Sequence, residues 1–189
     1  AVWVRLSDGS EDRYDLVIGA DGLLSQTRGR IFPDAPRPAY SGQSVWRAVL
    51  PKLADVNHTM LWVSESTKVG LNPVSAELMY VFVNENRPTR DRIPAEQLVE
   101  GLKALLAPYP APLVQAARSL IGPDSQIIFR PLEGMLVPLP WHKGRIALIG
   151  DAVHATTPHL ASGAGIGIED AIVLAEECDG ADELDEALA

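Results

Sequence analysis

Polar and apolar residues alternate at the start of the chain. Residues 2–6 follow a period of two, which predicts a half-buried strand. Asp8-Gly9 then favours a tight turn, so the next segment is predicted to pair back as a hairpin. The segment 15–20 is a short apolar run of the kind found in parallel strands that are covered on both faces.

The middle of the chain is predicted to be rich in β-strands, with turn residues between them. The prolines between 31 and 38 interrupt regular structure and indicate a boundary between two lobes. Pro94 opens a helix that carries leucines on one face and ends at Pro108. The pattern predicts an antiparallel or mixed sheet from strands at 44–50, 60–64, 69–71, 78–83, 125–130 and 135–139.

A second candidate for a buried parallel strand lies near the C-terminus, at residues 145–150. A glycine-rich loop follows it, and then a helix that ends near Cys178. Ile168, Ile172 and Ala175 share one stripe of this helix, which predicts a face packed on the core.

The amino-acid composition and net charge of the chain exclude several classes of function. The formal net charge of −9, with no basic stripe, argues against binding of nucleic acid. No apolar stretch approaches the roughly 20 residues that a membrane-spanning helix needs. The single cysteine excludes an internal disulfide and suits a reducing compartment such as the cytoplasm. The histidines lack metal-ligand spacing, so we expect no metal site.

The first candidate segment for a functional site follows the apolar run at 15–20. Asp21 lies at the carboxyl end of the predicted strand, which is where α/β sheets bind ligands. Gly22 permits a sharp turn, Ser25 can cap a short helix, and Arg28 can face an anion one turn later. The alternative is an ordinary Asp-Gly turn with an arginine on the surface.

The second candidate is the longer string from Gly150 to Ala171. A strand again ends in a carboxylate, Asp151, and a loop and helix follow it. Gly163 and Gly165 leave the N–H groups at the start of this helix unobstructed, which creates a site for negative charge. The alternative is a strand–loop–helix crossover that uses glycine only for close packing.

Together the two strings resemble the single-component flavoprotein aromatic hydroxylases, the relatives of p-hydroxybenzoate and salicylate hydroxylase. The string from Asp15 to Arg28 carries the Asp-Gly motif, and Gly150-Asp151 through Glu169-Asp170-Ala171 carries the second. The segment Trp46-Arg47-Ala48 resembles the first strand of the family's substrate domain. The resemblance implies an α/β fold in which a partial Rossmann-like FAD-binding domain (residues 1–30 and 141–189) packs on a mixed-sheet α+β substrate-binding domain (residues 31–140).

The resemblance also implies a reaction. NAD(P)H reduces FAD, O2 adds at the flavin C4a, and the hydroperoxide hydroxylates a small phenolic or aromatic-acid substrate. Arg47 and Pro158 are the implied catalytic residues, although an ordinary salt bridge on a strand explains Arg47 equally well. His154 and His159 flank Pro158, which suggests an acid–base role for His154, but a structural histidine that caps a loop is the favoured alternative. The implied cofactor-binding residues are Asp21, Gly22, Arg28, Gly150, Asp151, Pro158, Gly163, Ala164, Gly165 and Ile166.

Four matters stay open from the sequence. The family's N-terminal Gly-x-Gly-x-x-Gly unit has no counterpart here, so we expect a fragment that alone binds FAD weakly or not at all and is inactive. A reductase or oxidase of the same fold acting on a non-aromatic substrate, or a truncated module without cofactor, are the alternatives. Dimers are common in the resembled family, which makes a homodimer one expectation. Candidates for an aromatic pocket, which core packing explains equally well, are Trp46, Trp62, Met79 and Phe82.

Overall fold

The computed structural model describes residues 1–188 and divides the chain into two compact units. The first comprises Ala1–Ala39 and Glu133–Ala189, and the second comprises Tyr40–Leu132. The strands are β1 (Val2–Arg5), β2 (Glu11–Tyr14), β3 (Val17–Gly19), β4 (Ala39–Pro51), β5 (Met60–Val63), β6 (Thr67–Pro73), β7 (Leu78–Asn86), β8 (Ile127–Gly134), β9 (His142–Lys143) and β10 (Ile146–Leu148). The helices are α1 (Gln26–Ile31), α2 (Leu98–Leu106), α3 (Pro112–Leu120), α4 (Asp151–His154), α5 (Gly163–Gly180) and α6 (Leu184–Ala187).

The first unit contains the predicted hairpin and the predicted parallel strand pair. β1 and β2 pair antiparallel around Gly9, whose φ of 88° suits a tight turn. β3 and β10 pair in parallel, and β9 adds an antiparallel strand to β10. Beneath them lies a core that includes Ile31, Leu148 and Val153.

The second unit is a five-stranded sheet in the order β5-β6-β7-β4-β8. The pairs β5–β6, β6–β7 and β4–β7 are antiparallel. Alternate residues of β4, β6 and β7 point into a core shared with helices α2 and α3, and Leu102 and Val114 of those helices are fully buried. The intervening residues form an open face of the sheet.

The structure moves the predicted boundaries. Ile31, Phe32 and Ala35 pack on the core of the first unit, so the segment before β4 belongs there rather than to the middle lobe. The predicted strand at 135–139 is wrong. Its backbone instead bonds to the end of α4, because Met135 N–H donates to the Ala155 carbonyl and Val137 N–H to the Val153 carbonyl. Helix α3 was not predicted.

The apolar stripe on α5 is not packed as expected. Ile168 and Ile172 are 61% and 53% exposed, and no residue of this helix is buried by the part of the chain that the structure describes. Ile18 of β3 is likewise half exposed, so β3 is covered on one face only. Within residues 1–188, no helix is both long and apolar enough to cross a membrane.

Candidate functional site

The first motif folds into a tightly capped turn. The carboxylate of Asp21 accepts hydrogen bonds from the Ser25 hydroxyl (2.5 Å), the Gln26 N–H (2.9 Å) and both the N–H and hydroxyl of Thr27 (3.0 Å each). Burial raises the pKa of Asp21, but these hydrogen bonds outweigh it and lower the pKa from 3.8 to about 2. Asp21 therefore holds the start of α1, and its contact with a cofactor stays a prediction.

Arg28 is buried and links two segments of the chain, and is not a surface arginine. The residue is only 6% exposed, with Nη1 donating to the Ala152 carbonyl (2.8 Å) and Nη2 to the Leu23 carbonyl (2.9 Å). Among the described residues it has no carboxylate partner, so two carbonyls compensate a buried charge. Arg28 thus ties the first motif to the second.

The second motif contains a backbone conformation that requires glycine. Gly150 has φ 61° and ψ −142°, a region that residues with a Cβ avoid. A Cβ added at Gly167 would lie 3.5 Å from the Cα of Gly150, an ordinary van der Waals distance, so the turn at Gly150 and helix α5 lie side by side. Glycine is required at residue 150 by its backbone conformation.

Helix α5 begins without a side-chain cap. Ser162, the residue before it, makes no capping hydrogen bond, and a Cβ at Gly165 would meet open space. The helix has 18 residues, so its first turn presents unpaired N–H groups together with the positive end of the helix dipole. The first turn is therefore suited to negative charge.

Both motifs border a single groove of about 520 Å³. Ala20 and Gly22 contribute from the first motif, and the start of α5 closes the groove from another side. The remaining lining comes from the second motif and its loop: Ile149, Gly150, Asp151, Thr156, Pro158, Ala161, Gly163, Ala164 and Gly167. The structure thus brings the ends of both strands to one groove, which Asp151 lines and the Asp21 side chain does not.

His154 lies outside the lining of this groove. Its Nε2 is 2.5 Å from Oδ2 of Asp170 on α5, and its ring lies 5.2 Å from that of Trp141. The same oxygen of Asp170 accepts a hydrogen bond from Gly150 N–H at 2.7 Å. An acid–base role for His154 has no support in this geometry and stays a prediction.

Arg47 belongs to the second unit, where it lies on the open face of the sheet. Its cross-strand neighbour in β7 is Phe82, and Phe82 in turn faces Gly70 of β6. The Phe82 ring lies over Gly70, because a Cβ there would come within 2.1 Å of the ring. Trp46 and Met79, at 2% and 0% exposure, are core residues and cannot line a pocket on this face.

The predicted cofactor-binding residues only partly coincide with the groove. Those that line it are Gly22, Gly150, Asp151, Pro158, Gly163 and Ala164, whereas Asp21, Arg28, Gly165 and Ile166 are not among its lining residues. The lining residues that were not predicted are Ala20, Ile149, Thr156, Ala161 and Gly167. The repeat of glycine at 163 and 167 was the available signal for close approach on one helix face. Nothing in the sequence reported that Ala161 adopts a left-handed conformation with φ 53°.

The fold contains an α/β unit in which the end of a strand, a loop and the start of a helix border one groove, and the start of the helix is suited to negative charge. The model of the family described as "FAD binding domain" matches residues 4–178, and the chain belongs to that family.

Named relatives agree with this assignment. The chain is 34% identical over 175 residues to 2-heptyl-3-hydroxy-4(1H)-quinolone synthase of Pseudomonas aeruginosa, covering 91% of this chain and 45% of that protein. It is 33% identical over 180 residues to the FAD-dependent urate hydroxylase of Klebsiella pneumoniae, covering 92% and 45%. The crystal structure of Klebsiella pneumoniae HpxO complexed with FAD and uric acid matches with a TM-score of 0.83 and 29% identity, over 98% of this chain and 48% of that one. The chain therefore spans about half the length of these relatives.

No group of three or more histidine, cysteine, aspartate or glutamate side chains within residues 1–188 is placed to hold an ion.

Proposed function

We propose that this chain forms part of an FAD-dependent monooxygenase that uses NAD(P)H and O2 to hydroxylate a small phenolic or aromatic-acid substrate. The observation that carries the proposal is the single groove shared by Gly22, Asp151 and the uncapped start of α5. Family membership and the names of the relatives support FAD as the cofactor.

The residues of the groove fit a flavin nucleotide. Gly150 and Gly165 keep the backbone free of side chains at the points where a flat ring or a phosphate must approach closely. The carboxylate of Asp151 borders the groove and can accept hydrogen bonds from sugar or ribityl hydroxyls. The first turn of α5 can stabilise negative charge on the pyrimidine end of the ring.

The cofactor supplies electron transfer and the activation of oxygen, and the protein supplies binding and orientation. Asp151 and Gly22 would hold the ribityl and phosphate portions. The backbone of Ala164, Gly165 and Ile166 would hold the pyrimidine end, with Pro158 beside the reacting edge. Asp21 and Arg28 contribute indirectly, since they fix the first loop and join it to the second.

The second unit is the proposed substrate-binding domain. Its open face carries Arg47, Phe82 and Gly70 in a row across β4, β7 and β6. Tyr80 lies beside Phe82 with ring centroids 5.8 Å apart, and Tyr80 and Arg47 border a cavity of about 500 Å³. An exposed guanidinium next to two aromatic rings suits a flat substrate that carries a carboxylate or phenolate.

The test uses the full encoded protein. Titration with FAD, followed by quenching of flavin fluorescence, should show saturable binding, and turnover under ¹⁸O2 should place one labelled oxygen atom in the product. Binding of FAD without label in the product would indicate a reductase or oxidase. Absence of any FAD binding would overturn the proposal in favour of a module without cofactor.

A further inference from the structure

One carboxylate oxygen holds together three segments of the first unit. Oδ2 of Asp170, in the second turn of α5, accepts from Gly150 N–H at 2.7 Å and lies 2.5 Å from Nε2 of His154. Gly150 ends the segment after β10, and His154 is the last residue of α4. The strand end, the short helix and the long helix thus meet at one atom.

The surroundings make this contact strong. The side chains of His154 and Asp170 are 12% and 17% exposed, so water screens the pair poorly. The tilted ring of Trp141 lies 5.2 Å from the imidazole and covers it from one side. A hydrogen bond to an ionised group in such a setting is roughly twice as strong as one between neutral groups.

The pair of His154 and Asp170 contacts Gly150, whose backbone has an unusual conformation. Gly150 has φ 61° and ψ −142°, and a conformation of this kind persists only where the surrounding structure fixes it. Asp170 fixes the N–H of Gly150, and the next residue is Asp151, which borders the groove. Release of Gly150 would therefore change the direction of the Asp151 carboxylate.

We propose that His154 and Asp170 are positioning residues of the cofactor groove, which set the Gly150 turn so that Asp151 and the start of α5 face the same ligand. This inference rests on the proposed function, because the ligand is taken to be FAD. It gives His154 a role through Asp170 in place of acid–base catalysis. His154 must carry a proton on Nε2 to donate to the carboxylate.

The experiment compares FAD dissociation constants of the full encoded protein and four variants, well below their melting temperatures. Asp170→Asn keeps the shape but loses the charge, and we expect FAD binding weakened by about tenfold. His154→Leu removes the donor and should give a similar loss. His154→Gln retains an N–H donor of comparable reach, and should bind FAD within about threefold of the wild type.

The matched control is Asp185→Asn. Asp185 forms an ion pair with Arg145 in the same unit, but its side chain is 73% exposed, so its loss should leave FAD binding unchanged. Wild-type affinity in folded Asp170→Asn would overturn the proposal. Equal losses in His154→Gln and His154→Leu would also overturn it, since any packing role alone predicts no rescue by a donor.

A measurement on the wild type covers the case in which a variant fails to fold. Hydrogen exchange of the Gly150 amide should be slow, because Asp170 holds it. Exchange as fast as that of an exposed loop would overturn the proposal without any variant. Wild-type protein that binds no FAD, with a protected Gly150 amide, would instead defeat the proposed function and leave the contact intact.

Discussion

Nη1 of Arg28 donates a hydrogen bond to the carbonyl of Ala152, 2.8 Å away in space and 124 residues away in sequence. The bond joins α1, which follows the loop after β3, to α4, which follows the loop after β10, and both loops border the same groove. A buried arginine between two carbonyls leaves little freedom for either loop to move alone.

Replacement of Arg28 tests whether its two hydrogen bonds stabilise the fold and the groove. Arg28→Met keeps most of the volume but leaves the buried carbonyls of Ala152 and Leu23 without donors, which should cost about 2–4 kcal/mol of unfolding free energy. FAD affinity should fall as well, because the two loops lose their connection. Urea denaturation and flavin titration measure the two effects.

The control for Arg28 lies on the same helix. Arg30 is exposed on α1, so Arg30→Met removes the same charge without removing a buried bond. We expect a change within about 0.5 kcal/mol. Similar losses in both variants would mean that charge, and not the link between the loops, accounts for the effect.

The sequence predicted the parallel pair of strands and the glycine-opened helix because both depend on local pattern. It could not predict that Arg28 is buried, since its partner Ala152 lies in a distant segment and presents only a backbone carbonyl. It likewise gave Asp21 to the cofactor, although four nearby donors occupy that carboxylate. Side-chain type indicates what a residue can bind, but packing decides which partner it meets.

Asp21 predicts a particular dependence of stability on pH. Its pKa is lowered from 3.8 to about 2 in the folded chain, so the folded state favours the ionised form. The contribution to stability is therefore present above the unfolded pKa and is lost as the pH falls from about 4 towards 2. Urea denaturation across this range should show a decline that is smaller in Asp21→Asn.

The comparison variant for Asp21 is Asp34→Asn, which removes one exposed carboxylate from the same unit. The Asp34→Asn variant shows how the loss of one negative charge by itself changes the dependence of stability on pH. If Asp21→Asn and Asp34→Asn gave the same profile, the hydrogen bonds at the start of α1 would not be the source of the acid dependence.

Gly70 and Phe82 should show strong coupling. A methyl group at residue 70 would lie 2.1 Å from the Phe82 ring, so Gly70→Ala must displace that ring from the open face. We expect a loss of about 1–3 kcal/mol in unfolding free energy and a higher KM. In the background of Phe82→Ala the same change should cost much less, because the ring is gone. Additive losses in the double mutant would contradict this packing.

Substitution of Arg47 tests its proposed role in binding substrate separately from the binding of cofactor. It is exposed, has no ion pair among the described side chains, and lies across the strand from Phe82. Arg47→Gln should raise KM for an anionic aromatic substrate by about tenfold, because a charge-assisted bond is worth about 1.5–3 kcal/mol. FAD affinity should stay the same.

Two further measurements make the test of Arg47 decisive. Arg47→Lys keeps the charge but loses the paired donors, so its KM should fall between those of the wild type and Arg47→Gln. A neutral analogue of the substrate should show little difference between the wild type and Arg47→Gln, because it offers no anion to bind. An equal rise in KM for the neutral and the anionic compound would mean that Arg47 shapes the open face of the sheet and does not bind the charge.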